Sequence, residues 1–179
     1  MLRHQQIQKM IIASMLLALA LVLPFLTGQI QTIGNMLCPM HIPVLICGFV
    51  CGWQYGFAVG FVAPLLRSVI FGMPVMFPAA VCMAVELAVY GTVSGFAYKK
   101  LPRVPLSVYL ALFAAMILGR IVWGAAMFVC VGMIGGTFTI TAFIASAFTN
   151  AIPGIILQIV AIPALIILLE RTGYLSKED

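Results

Sequence analysis

The sequence predicts an all-α integral membrane protein, a single bundle of six transmembrane helices. Three observations lead there. Hydrophobic residues make up 64% of the 179 positions and charged residues 7%, whereas water-soluble domains carry about 25% charged residues. Mean hydropathy is +1.22. Apolar stretches recur along the whole chain, most of them near the roughly 20 residues that a bilayer crossing needs. At 19.3 kDa the chain is expected to form one domain over 1–179, since no polar segment is long enough for a second. The net charge of +5 is not a nucleic-acid signal, because the basic residues are scattered at helix ends without a basic-aromatic stripe.

The first span covers residues 7–26. It follows a basic N-terminal stretch, MLRHQQIQKM, and is expected to be a retained helix rather than a cleaved leader, because no small-x-small site follows the apolar run. Pro24 and the uncharged loop TGQIQTIGN close it. The second span, 40–52, is short, Pro-flanked and Gly-rich, and the third, 54–72, follows almost at once. These two also read as one long broken helix. A Pro-rich turn, MPVMFP, leads into the fourth span at 77–98. KKLPRVP separates that from the fifth at 106–132, and GGTFTIT precedes the sixth at 143–170. No internal repeat is present.

Charge asymmetry sets an expected orientation. Six spans put both termini on one side, together with Arg3, Lys9, Lys99, Lys100, Arg103, Arg171 and Lys177. The opposite loops, 27–39, 73–76 and 133–142, hold no charged residue. Basic loops stay in the cytoplasm, so both termini are expected there.

Arg67, Glu86 and Arg120 remain inside spans. A mid-bilayer charge costs at least about 2.5 kcal/mol, so such residues face the bundle interior and find partners. A rise of about 1.5 Å per residue puts Glu86 roughly 14 Å below the outer end of its span, and Arg120 and Arg67 roughly 21 and 19 Å above their inner ends. In a hydrocarbon core of about 30 Å all three lie between the midplane and the outer leaflet. Two readings stand: a Glu86–Arg120 pair that only fixes helix register, and a polar ligand site where all three meet. Two arginines against one acid favour the second, and a carboxylate on the ligand as counter-ion, unless Arg67 snorkels to the headgroups. Tyr90 follows Glu86 by four residues on the same helix face, and Trp123 and Met127 follow Arg120 by three and seven. Asn150 and Gln158 share a stripe of the sixth span with Gly154. Apolar and aromatic walls with a few polar anchors are what a ligand pocket requires.

Other chemistries lack their parts. Cys47 and Cys51 are spaced i, i+4 with Cys38 and His41 nearby, but the spacing matches no closed zinc motif, so neither a metal nor another cofactor is expected. The five cysteines imply no disulfide framework. No paired carboxylates, HExxH or GxSxG motif is present, so an enzyme is not expected.

Six spans in under 200 residues, a short second span and the basic loop KKLPR resemble the substrate-binding S component of energy-coupling-factor (ECF) vitamin transporters. The closest likeness runs over 37–91, LCPMHIPVLICGFVCGWQYGFAVGFVAPLLRSVIFGMPVMFPAAVCMAVELAVYG. It is similar to the branch that includes pantothenate, folate and pyridoxine-type binders. The family's Ala-x-x-x-Ala docking face reads here Ser14-x-x-x-Ala18. The resemblance implies a module without its own ATPase, and no Walker motif is present. It would capture a vitamin or related micronutrient under a lid formed by the first loop, then dock on a transmembrane T component driven by two ATP-binding subunits. Family pockets lie in the outer half, which places Glu86, Tyr90, Arg120, Trp123 and Asn150 where ligand contacts occur. Two other classes stay open: a stand-alone secondary transporter or channel, and an envelope assembly protein in which the charged cluster is a staple. Ligand-induced stabilisation separates binding from staple, and co-purification with an ATP-binding pair separates S component from lone carrier.

Overall fold

The computed structural model describes residues 2–27, 37–102, 104–146 and 151–172. Among them the chain is helical without a strand. Five helices are long and apolar enough to cross a membrane and a sixth apolar helix is shorter, consistent with the expected six-helix bundle. Arg103, Lys177 and the first loop between residues 28 and 36 lie outside the described residues.

Helix α1 (Leu2–Val22) runs into a 3-10 turn, Leu23–Thr27. Pro24 brings no backbone donor and so ends the α-helical ladder there. Ala13 and Ala20 point inward, while Met10, Ile11, Met15, Leu19 and Val22 are exposed. Apolar exposure of this kind is what a lipid-facing surface requires.

Helix α2 (His41–Cys51) is buried along almost its entire length. Its 11 residues span only about 16 Å, half of a hydrocarbon core. Whether α2 and α3 (Trp53–Phe71) form one broken helix is decided at Gly52, with φ +95° and ψ 169°. That region is essentially closed to residues with a Cβ, so the helix stops and restarts.

Helix α3 buries Gly56, Val59, Gly60, Ala63, Arg67 and Ser68, a 3.6-period stripe, and ends at Gly72 in the left-handed region. A kinked segment, Met76–Ala80, in which Phe77 is extended (φ −125°, ψ 131°), leads into α4 (Val81–Lys100). This helix is the hub of the bundle, packing against α2, α3 and α5. Where it crosses α2 and α3 the backbones touch. A Cβ on Gly56 would sit 2.5 Å from the Gly91 carbonyl oxygen, and one on Gly95 2.6 Å from that of Gly48. Small residues permit this approach, and close packing rather than water exclusion holds helices together in lipid.

Helix α5 (Pro105–Met133) carries proline in its first turn, where the missing donor is harmless. Its first half is packed through Val108, Ala111, Leu112, Ala115 and Met116, whereas the half beyond Arg120 is largely exposed. A short α6 (Ile140–Ile144) follows, capped by the Thr139 hydroxyl accepting from Ala142 N at 3.3 Å. Helix α7 (Ile152–Arg171) packs on α5 and α2. Within the expected sixth span, 143–170, the described residues hold the end of α6 and the long helix from Ile152. Pro153, in the first turn, has the fixed φ that starts helices and restricts the residue before it.

Contacts between chain-distant residues fix which helix ends belong together. Tyr55 Oη donates to the Gln6 carbonyl, the rings of Phe49 and Tyr98 meet at 5.3 Å, and Tyr98 Oη donates to Glu170. The start of α1 and α3 and the end of α2, α4 and α7 thus share one end of the bundle. Lys99, Lys100 and Arg171 sit at that end.

Candidate functional site

A turn at Cys38, which has φ +47°, brings the chain into α2, and the Cys38 carbonyl accepts from His41 N at 3.0 Å. A non-glycine residue held there costs on the order of 1–3 kcal/mol, strain that packing must hold in place. The turn delivers the Cys38 thiol and the His41 ring to the place where α4 and α5 bring their charges.

Glu86 of α4 accepts the approach of Arg120 of α5, Oε1 to Nη1 at 3.0 Å. His41 Nε2 lies 3.6 Å from the same oxygen. Arg120 Nη2 donates to Cys38 Sγ at 3.6 Å. The Tyr90 ring, one turn along from Glu86, meets the His41 ring edge to face, centroids 5.1 Å apart and planes at 82°. Gly119 makes room for it, since a Cβ there would stand 2.7 Å from Tyr90 Cε2. Exposure is 1% for Glu86, 3% for His41, 0% for Tyr90 and 8% for Arg120.

Burial this deep demands hydrogen bonds, and the cluster does not supply them all. Among the described residues His41 Nδ1 and Nε2, Tyr90 Oη, Arg120 Nε and Glu86 Oε1 make none. The Glu86–Arg120 approach is thus close in charge but not aimed as a hydrogen bond. An unpaired buried polar group costs about 1–3 kcal/mol, and five of them gathered in one place are rarely left to packing alone. Such a cluster has unfilled capacity for a polar guest.

The other residues singled out in the sequence lie elsewhere. Arg67, 3% exposed, donates Nη1 to the Leu21 carbonyl and stands 5.0 and 5.4 Å from the ring centroids of Phe25 and Phe71. It neither joins Glu86 nor snorkels; it caps the end of α1, where backbone carbonyls lose their helical donors. Trp123 stacks on Phe143 at 6.2 Å and meets Phe138 edge-on at 6.0 Å. It thereby clamps the segment around α6, beside an apolar cavity of about 280 Å³ lined by Gly124, Phe128, Phe138 and Phe143 among others. Asn150 lies outside the described residues. Gln158 is 1% exposed, and its Oε1 has no hydrogen bond. Ser14 and Ala18 are both exposed on α1, opposite the inward Ala13 and Ala20. Among the described residues no group of three metal-ligating side chains gathers.

His41 and Cys38 were legible only as metal candidates. The signal that could have placed His41 is the one that singled out Glu86: a polar side chain within a strongly apolar stretch faces the bundle interior.

Comparison with curated proteins and with solved structures finds no match. A protein-family model described as "ECF transporter, substrate-specific component" matches residues 8–166. That stretch spans every described helix from the second turn of α1 nearly to the end of α7, and it contains the whole polar cluster. The chain belongs to the family of substrate-specific components of ECF transporters.

Proposed function

We propose that this chain is the membrane-embedded subunit that captures a vitamin or related micronutrient for an ECF-type importer, and that its binding site is built on Glu86, Tyr90 and Arg120 with His41 and Cys38. Family membership makes it a multi-pass transport subunit, implying a small-molecule substrate and energising partners. The observation that carries the site is the set of orphaned polar atoms between α2, α4 and α5, fully buried and converging from three helices. A structural staple would need only the ion pair; it would not need an unpartnered imidazole and phenol beside it. Trp123 and Asn150 enter the reading only through the family resemblance. Arg67 supports it indirectly, by holding the end of α1 from which the first loop departs.

The expectation of a carboxylate-bearing ligand such as pantothenate rested on two arginines sharing one acid. Arg67 is committed to Leu21 and two aromatic rings, so that charge count no longer supports it. The exposed Ser14–Ala18 face supports docking of α1 on a T component with its two ATP-binding subunits, because small residues there leave room for a partner helix. Mass spectrometry of small molecules released from the detergent-purified protein tests the central reading. A stoichiometric vitamin-sized molecule, lost in the Arg120→Ala variant, is the expected result. A protein that releases none, and that no vitamin stabilises thermally, would overturn it.

A further inference from the structure

The fixed charges of the cluster are one and one. Glu86 is compensated by Arg120 at 3.0 Å, and the remaining intramembrane cation, Arg67, is held by the Leu21 carbonyl and two aromatic rings. The two fixed charges of the cluster therefore cancel. A ligand carboxylate or ammonium entering this buried site would be a lone charge, and burying an uncompensated ion is the costliest transfer available to a polar group.

The guanidinium is also committed. Nη1 faces Glu86 and Nη2 donates to Cys38 Sγ, leaving Nε as the arm with no partner. Bidentate capture of a carboxylate uses two parallel N–H donors, and here Nη1 is drawn toward the Glu86 charge and Nη2 toward the Cys38 sulfur. The orphan atoms are of both kinds. Arg120 Nε can only donate, Glu86 Oε1 can only accept while ionised, and Tyr90 Oη does both. His41 donates through one ring nitrogen and accepts through the other.

We infer that the group recognised in this cluster is uncharged and presents an acceptor and a donor side by side, as a carboxamide, lactam or ureide does. The inference rests on the cluster being the binding site and adds the chemical class of what it holds. Its acceptor would take the Arg120 Nε and Tyr90 hydrogens, and its donor would turn to Glu86 or the accepting nitrogen of His41. A charged group elsewhere on the same ligand would have to stay outside the cluster.

Matched pairs of an acid vitamin and its uncharged counterpart test this on the purified full-length protein in detergent: nicotinate and nicotinamide, pantothenate and pantothenol, biotin and biotinamide. Thermal stabilisation ranks all six, and titration gives affinities for those that bind. The uncharged member of a binding pair should bind at least about tenfold more tightly. Glu86→Gln, which leaves the Arg120 charge uncompensated, should shift that preference toward the acid by a similar factor. Tighter binding of the acids by the unaltered protein overturns the inference while leaving the binding-subunit reading intact. Tighter binding of the uncharged member with no shift in Glu86→Gln removes the charge balance as its cause, and overturns the inference too. Should no pair bind, and no other vitamin stabilise the protein, the reading on which the inference rests fails with it.

Discussion

Arg67 and Arg120 stand at similar heights when residues are counted along their helices, yet only Arg120 meets Glu86. Counting gives depth from the helical rise but not which way a side chain turns about the bundle. That depends on helix packing: Glu86 and Arg120 share the α4–α5 interface, while Arg67 faces the end of α1. Sequence therefore anticipated the Glu86–Arg120 pair but not that Arg67 stands apart from it. His41 and Cys38 escaped for a related reason, since only tertiary packing brings the start of α2 against α4 and α5. The cluster makes a residue-level prediction. Truncating one partner of a buried charged contact costs about 2–5 kcal/mol, so Arg120→Ala should weaken binding of the co-purified molecule at least tenfold. The protein should still purify as a monodisperse species, because the glycine crossings that hold α2, α3 and α4 together are untouched. Normal binding by this variant would make the pair a staple and move the site elsewhere.

Helices were more legible than side chains because their signal is redundant: a long apolar run leaves few alternatives in a bilayer. The boundaries hardest to read fall where a single residue decides. Gly52 separates α2 from α3 through a backbone angle that composition does not reveal, and Pro153 starts α7 inside a run whose hydropathy is continuous. The close crossing of Gly48, Gly56, Gly91 and Gly95 was also invisible, since glycine in an apolar helix does not name its partner. Helix α1 shows how one element divides its labour. Ala13 and Ala20 seat it on the bundle, and Ser14 and Ala18 face outward with the Ser14 hydroxyl turned back to the Met10 carbonyl at 2.9 Å. With its hydroxyl satisfied, Ser14 presents a small and nearly apolar surface to a neighbour. Ser14→Leu should therefore abolish uptake by the complete importer and its co-purification with the T component. Ligand binding by the isolated subunit should be unchanged, because the altered side chain projects away from the core. Equal loss of both activities would show instead that the face is internal packing.

At the scale of the molecule, the shared end of α1, α2, α3, α4 and α7 carries Lys99, Lys100 and Arg171. The polar cluster is displaced from that end: His41 opens α2, whose other terminus lies there, and Glu86 is in the second turn of α4 counted from the far side. The proposed uptake role calls for the cluster to open outward and the basic end to face the cytoplasm, the orientation that the positive-inside rule also predicts. Cysteines introduced one at a time test it in intact cells. Ile30→Cys, in the uncharged first loop, should react with a membrane-impermeant maleimide added outside, whereas Leu101→Cys, in the KKLPR loop, should react only after the cells are opened. The five native thiols are buried, so the unaltered protein supplies a low background. Reversed labelling would put the cluster on the cytoplasmic side of the midplane, where a subunit that captures nutrients from outside has no use for it, and both the orientation and the proposed site would fall together.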